Sequence, residues 1–281
     1  MAVVIGAALW GSIGPIAALY PTGSALGLAS WRQVVGSIAL VLWVWLSRSG
    51  WSRWGRRDVR MTLAGIVSVA AYSLLYFPSV FLCGVATATV VSIGAAPVIA
   101  GLAHRMRGGT VSRAWLVATG IAIAGMCLVV LPGAHTSGNW LGVLLAVLAA
   151  ASYALQAHTI RALVARHGSA EVVAVLFSGA AIVLAPFGLL SFGLVTSSVI
   201  SVLGLVYLGV FTIAVAYALF ARGLRDVSAH AAVTLSLVEP VSATVLAALI
   251  AHQIPAAAQV VGITITIGAL VLLARSDSSS A

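Results

Sequence analysis

Arg48-Ser49-Gly50-Trp51-Ser52-Arg53-Trp54-Gly55-Arg56-Arg57-Asp58-Val59-Arg60 sets five arginines between two long apolar runs, 26–47 and 61–82. Each run is the length that crosses a hydrocarbon core of about 30 Å as a helix, which takes about 20 residues. A basic loop joining two such runs marks one side of a membrane, because arginine-bearing loops are held on the cytoplasmic side. Working outward, further polar breaks fall at Tyr20-Pro21-Thr22-Gly23, Leu82-Cys83-Gly84, 104–113, 132–139, 161–170, 193–198, 222–226 and 252–255. They delimit ten spans: 2–19, 26–47, 61–82, 85–103, 114–131, 140–160, 171–192, 199–221, 228–251 and 256–274.

The arginines test this count. Loop 104–113 carries Arg105, Arg107 and Arg113, loop 161–170 carries Arg161 and Arg166, loop 222–226 carries Arg222 and Arg225, and the tail carries Arg275. The alternate loops hold none, so thirteen of fourteen arginines fall on one side. A missed or invented helix would move the later arginine loops to the wrong side. The pattern predicts both termini in the cytoplasm, with tail 276–281 beyond the last span. Trp51, Trp54, Trp115 and Trp140 lie near span edges, where interfacial tryptophans collect. The first apolar run lacks a basic region before it and an A-x-A site after it, and reads as a span, not a removable signal peptide.

Composition excludes other classes. Of 281 residues, 62% are apolar and only 7% charged, against about 25% charged in a soluble domain. The net charge of +9 comes from arginine alone. Because those arginines sit in short loops between spans, they predict membrane orientation and no nucleic-acid partner. Arginine without lysine, alongside abundant Ala, Gly and Val, points to a GC-rich bacterial genome, hence to a bacterial plasma membrane. Cys83 and Cys127 have no CxxC or Cys/His spacing, and no two of the six histidines are spaced i,i+4, so neither a metal site nor a disulfide framework is expected. No cofactor pattern is present. A phosphate-binding GxxxxGK[ST] loop is impossible without lysine. Asp58, Asp226 and Asp277 all lie outside the spans, leaving no intramembrane aspartate pair. No catalytic residue is nominated, and the chain is not expected to be an enzyme.

The halves echo each other. Pro97 and Pro240 lie in the fourth and ninth spans, and each is followed 28 residues later by a glycine, Gly125 and Gly268. Ala71-Tyr72-Ser73-Leu74 and Ala216-Tyr217-Ala218-Leu219 occupy the preceding spans. The division expected is 1–131 and 140–275, joined by an external linker at 132–139. Five helices per half is an odd number, so the second half enters the membrane inverted. Inverted repeats are characteristic of secondary transporters that bind substrate near the midplane.

Gly6-Ala7-Ala8-Leu9-Trp10-Gly11, Arg32, Val91-Ser92-Ile93-Gly94-Ala95-Ala96-Pro97 and Leu235-Ser236-Leu237-Val238-Glu239-Pro240-Val241 together resemble the EamA type of the drug/metabolite transporter superfamily, with two tandem EamA domains. The resemblance covers nearly the whole chain. It implies a ten-helix exporter of small metabolites, often amino acids, driven by a proton or substrate gradient. One departure stands at the end of the ninth span. Where the family commonly has a Gly-Glu pair, this chain has Ala251-His252-Gln253.

Two ionisable residues interrupt the interior, Arg32 and Glu239. Counted along their helices, Arg32 lies roughly 9 Å and Glu239 about 12 Å from the outer boundary of a core of about 30 Å. Matched depth and opposite sign predict a shared cavity. There the two either pair or bind the carboxylate and ammonium of a zwitterionic substrate. Otherwise Arg32 snorkels to the headgroups and Glu239 is an uncharged structural group. Glu239 is also the candidate for proton coupling. Trp10, Tyr72, Tyr76, Tyr153 and Gln156 are the remaining candidates for the substrate site, or else ordinary packing residues. Gly11, Gly14, Pro15, Pro97 and Pro240 are expected at hinges or helix breaks, each proline freeing a carbonyl four residues earlier. The alternative is a plain packing kink. Ser92, Thr89 and Ser236 are expected to bond their own helices. Gly262, Thr266 and Ala269 form a small-residue face for close helix approach, within a monomer or between the protomers of a homodimer. A small-molecule substrate and membrane lipid are the partners expected. A lipid-intermediate flippase, a nucleotide-sugar-type carrier, and a non-transporting assembly subunit or receptor are the competing readings.

Overall fold

The computed structural model describes residues 1–17, 19–20, 25–47, 51–132, 139–189, 192–250 and 254–278. Among them the chain is helical with no strand. Among the described residues nine helices are long and apolar enough to span a membrane, and a tenth, shorter apolar helix precedes them. In chain order they are α1 (Ala2–Ala17), α2 (Ala25–Leu46), α3 (Arg56–Cys83), α4 (Val85–Met106), α5 (Arg113–Val130), α6 (Trp140–Val164), α7 (Ser169–Leu189), α8 (Val199–Gly223), α9 (Ala229–Leu249) and α10 (Ala257–Ser278). The protein is an all-α integral membrane protein. Expected features at 21–24, Arg48, most of linker 132–139, Ala251-His252-Gln253 and the extreme tail lie outside the described residues.

Local chemistry places the helix starts. Ser112 Oγ accepts from the Trp115 amide at 3.0 Å before α5, and Asn139 Oδ1 accepts from the Leu141 amide at 3.0 Å before α6. Ser228 caps α9 through the Ala231 amide at 3.2 Å. These caps satisfy amides that the first helical turn leaves unpaired.

The helices pair in a regular way. α3 packs on α6, α1 on α8, α5 on α10, α2 on α7, and α4 on α6. The α5–α10 pair uses the small-residue face found in the sequence. A Cβ added at Gly125 would sit 2.5 Å from Thr266 Oγ1, and one at Gly262 would sit 2.6 Å from the Gly125 carbonyl oxygen. That face is therefore spent inside the chain, where small residues let helix backbones approach. Outward, large apolar side chains such as Phe81, Ile182, Val199 and Ile200 are exposed, as lipid-facing residues are.

Three helices are irregular. α1 turns at Gly11-Ser12, where the amides bond three residues back, to the Ala8 and Leu9 carbonyls at 3.2 Å. α9 turns at Ser236-Leu237, the Leu237 amide bonding the Thr234 carbonyl at 3.0 Å. Both breaks lie four residues before a proline, Pro15 and Pro240, where the carbonyl that loses its donor lies. Pro97 behaves differently: α4 runs unbroken from Val85 to Met106 through it, and Pro97 is buried in the packing. α8 carries a π-helical stretch over Leu208–Val215, which neither half of the sequence signalled.

Two assignments to the membrane interface need correction. Trp140 is 74% exposed at its edge, but Trp115 is buried and its indole N–H donates to Thr234 Oγ1 at 3.2 Å. Its helical phase turns it toward α4 and α9 instead of lipid. Trp54 likewise spends its indole N–H inside the protein, on Glu171 at 2.6 Å.

Candidate functional site

The breaks in α1 and α9 meet. Gly11 presses on α9 so closely that a Cβ there would lie 2.2 Å from Ser242 Oγ, 2.6 Å from the Ala243 amide nitrogen and 2.9 Å from the Glu239 carbonyl oxygen. Ser242 Oγ bonds the Ala8 carbonyl at 3.0 Å and the Glu239 carbonyl at 2.8 Å, stitching the two helices. Gly14, by contrast, has open space where its Cβ would be. Non-helical backbone at membrane depth is tolerated where it is buried in protein or lines a cavity. Glu239 sits in the first turn after the α9 break, directly beside this crossing.

Around it the aromatic residues gather from four helices. Trp10 stands 4.7 Å from Tyr217 and 6.2 Å from Tyr153, ring centre to ring centre. Tyr72 stacks on Tyr76 at 5.6 Å and lies 5.9 Å from Tyr153. Their polar tips divide into two sets. Some are spent: the Trp10 indole N–H donates to the Thr212 carbonyl at 2.9 Å, within the π-helical stretch of α8. Tyr153 Oη meets Ser236 Oγ at 2.8 Å at the α9 break, and Tyr76 Oη meets Thr89 Oγ1 at 3.0 Å. Thr89 thus serves a neighbouring helix, whereas the Ser92 and Ser236 hydroxyls also bond carbonyls of their own helices.

Other groups have no partner. The Nε and Nη1 atoms of Arg32 are buried without a hydrogen bond, and so is Nε2 of Gln156. The Tyr217 hydroxyl faces the Gln156 side chain. Arg32 lies within electrostatic reach of Tyr217, Tyr72, Glu239 and Tyr76. Glu239 in turn feels Arg32. No ion pair joins them among the described residues, whose ion pairs are Asp58 with Arg166 and Asp58 with His167. Arg32 from α2, Tyr72 and Tyr76 from α3, Gln156 from α6, Tyr217 from α8 and Glu239 from α9 therefore form one polar constellation. Trp10 and Tyr153 back it as a wall. Such a set can hold a carboxylate at the guanidinium, a cation at the carboxylate and an apolar body against the rings. Nothing in it resembles a nucleophile–base pair. The residue missed in the sequence is Tyr217, although the echo of Ala71-Tyr72-Ser73-Leu74 contained it.

A second polar cluster stands at the arginine-rich end. Glu171, at the start of α7, accepts from the Ser52 amide at 2.9 Å, Ser52 Oγ at 2.7 Å, Trp54 Nε1 at 2.6 Å and the Gly168 amide at 3.3 Å. Ser52 Oγ also meets His167 Nδ1 at 2.6 Å, and the Trp54 ring stacks on His167 at 4.1 Å. His167 Nε2 lies 3.4 Å and Arg166 Nη2 2.8 Å from the Asp58 carboxylate. The connection between α2 and α3 is thereby locked to the connection between α6 and α7. Asp58 and His167, which fall in the stretches 48–60 and 161–170 between spans, are only 5% and 6% exposed.

Comparison with known proteins agrees with this architecture. The model of the EamA-like transporter family matches residues 140–275. The chain is 35% identical over 258 residues to the "Uncharacterized transporter YwfM" of Bacillus subtilis (strain 168), covering 87% of this chain and 82% of that one. A crystal structure of a protein 19% identical in sequence has the same fold, with a TM-score of 0.84 over 98% of this chain and 97% of the other. With this identity sustained along most of both sequences, the chain belongs to the EamA-like transporter family and is a multi-pass membrane transporter.

Proposed function

We propose that this transporter is a secondary exporter of small zwitterionic metabolites, amino acids foremost, and that it works by alternating access. The observation that carries this reading is the buried Arg32 guanidinium, with two nitrogens unbonded, facing a constellation that ends in Glu239. Buried polar groups in native proteins are nearly always satisfied, so an orphaned pair of donors calls for a ligand. A carboxylate is the acceptor a guanidinium suits best. The α-ammonium of the same substrate then falls to Glu239, and a side chain to the rings.

The two halves, 1–131 and 140–275, are read as inverted repeats. Exchanging each helix with the one five places along turns the α1–α8 pair into α6–α3, and leaves α2–α7 and α5–α10 unchanged. All of these pairs pack together. The same exchange turns the Trp10–Tyr217 contact into the Tyr153–Tyr72 contact. A site at the junction of two such halves is reached from either side as they rock. The arginine-rich end is assigned to the cytoplasm of a bacterial plasma membrane, with both termini there. Glu239 is assigned the coupling proton, which it would exchange for the substrate ammonium.

The test is counterflow in proteoliposomes with a panel of amino acids and related metabolites. Accumulation of at least one zwitterion, lost in the R32M protein, supports the reading. Failure across the whole panel by folded protein overturns it in favour of a lipid-intermediate flippase or an assembly subunit.

A further inference from the structure

A recess of about 480 Å³ opens at the arginine-rich end between α4, α6 and the start of α9. Five basic side chains line it: His104 and Arg107 from the end of α4, His158 and Arg161 from α6, and His230 from α9. The His104 and His230 rings lie 4.7 Å apart, and the Ser228 hydroxyl meets His230 Nε2 at 3.2 Å. Arg161 is held in place by the protein itself, its Nη1 donating to the carbonyls of Leu224 and Val227. Among the described residues no carboxylate lines the recess. The charged neighbours that His158 and His230 feel are Arg107, Arg161 and His104, all basic. Two guanidinium charges, Arg107 and Arg161, thus share a concave place with three imidazoles that an entering anion can meet as hydrogen-bond donors, an arrangement an anion relieves.

The rest of the lining identifies the anion. Below the basic rim the walls are apolar, with Ile99, Ala151 and Leu155 among them. Leu155 lies roughly 160° around the helix from Tyr153 and roughly 100° from Gln156. It is 38% exposed. The recess therefore sets a basic rim, at the end of the bundle that the arginine loops assign to the headgroup level, beside an apolar wall that includes the exposed Leu155. A free phosphate would use the rim and leave the apolar wall bare.

We propose that this recess binds an anionic phospholipid, its phosphate held by the histidines with Arg107 and Arg161, and an acyl chain lying along Ala151 and Leu155. Basic pockets between helices on the arginine-rich side are the form such sites take. This site is separate from the transport site and stands whether or not the substrate assignment does.

The experiment compares melting of the delipidated full-length protein with added phosphatidylglycerol, phosphatidylcholine or inorganic phosphate, alongside native mass spectrometry of retained lipid. Phosphatidylglycerol should raise Tm by on the order of 5 °C at saturating lipid, and be retained about tenfold over phosphatidylcholine, a factor of ten being 1.4 kcal/mol. Phosphatidylcholine and inorganic phosphate should do neither. The R107Q/H230Q protein, which leaves the anchored Arg161 in place, should lose the phosphatidylglycerol shift. Equal shifts from both lipids, an equal shift from phosphate alone, or an undiminished shift in the double variant would overturn the assignment. Should that variant not fold, retention by the wild-type protein decides: no preference for phosphatidylglycerol counts against the site.

Discussion

Gly11 of α1 and Ser242 of α9 touch at a crossing with no room for a methyl group, a Cβ at position 11 lying 2.2 Å from Ser242 Oγ and 2.6 Å from the next backbone nitrogen. The hydroxyl can rotate away but the backbone cannot, so G11A must separate the two broken helices. Overpacking of this kind costs about 1–3 kcal/mol. The expected result is a lower melting temperature in detergent and slower transport. G14A is the control, since nothing stands within 4 Å of its added Cβ, and its Tm should stay where it was. Equal melting of G11A and wild type would mean that the two helices do not cross this closely.

Arg32 gives a prediction of opposite sign for stability and function. A buried charge with unbonded donors is a burden on the fold, and an apolar residue of similar length removes that burden. Two of its nitrogens have no hydrogen bond. R32M should therefore melt at or above the wild-type temperature, while counterflow falls by on the order of a hundredfold, the loss of a charge-assisted hydrogen-bonded partner. A structural arginine would show the reverse, with lower Tm and preserved transport.

Glu239 separates coupling from binding. Glutamine keeps the shape and hydrogen-bonding capacity but carries no exchangeable charge. E239Q should still exchange substrate across the membrane at equilibrium, at higher substrate concentration because the ammonium has lost its charged partner, yet show no response to an imposed pH gradient or to an uncoupler. Flux in E239Q that stays pH-dependent and uncoupler-sensitive would take the proton away from this residue.

How much of this could be read from the sequence follows from where the information lies. Span count is legible because a bilayer imposes a length on each helix and a charge on alternate loops, and the arginines of 48–60 and 104–113 state it plainly. The breaks in α1 and α9 are legible through Pro15 and Pro240, because a missing amide has a fixed effect four residues back. Pro97 shows the limit of that rule, since packing around α4 absorbs it without a break. Matched depth and opposite sign led to the expectation of a shared cavity for Arg32 and Glu239; the two lie within electrostatic reach of each other. Trp115 was misplaced because a position near a span edge says nothing of which way the side chain faces. Tyr217 was within reach, as the repeat partner of Tyr72. The Glu171 cluster was not, because it joins residues more than a hundred positions apart whose loops look merely polar.

That cluster yields a final prediction. Glu171 is 5% exposed and gathers the Ser52 amide and hydroxyl, the Trp54 indole N–H and the Gly168 amide. In E171A these donors lose their acceptor together. One such buried donor left unpaired costs about 1–3 kcal/mol, and water reaching the loops from the membrane surface returns part of it. A net loss of about 3 kcal/mol is expected, lowering Tm by on the order of 5–10 °C. The functional consequence depends on what the lock does. If it only braces the fold, transport per folded molecule is unchanged. If it closes the arginine-rich end in one half of the cycle, E171A should label more readily at a cysteine placed at Ala218, on the α8 wall beneath Ser52 and His167, when a membrane-impermeant thiol reagent is applied from that side. Labelling equal to that of the same cysteine in the Glu171 protein would leave bracing as the whole of its role.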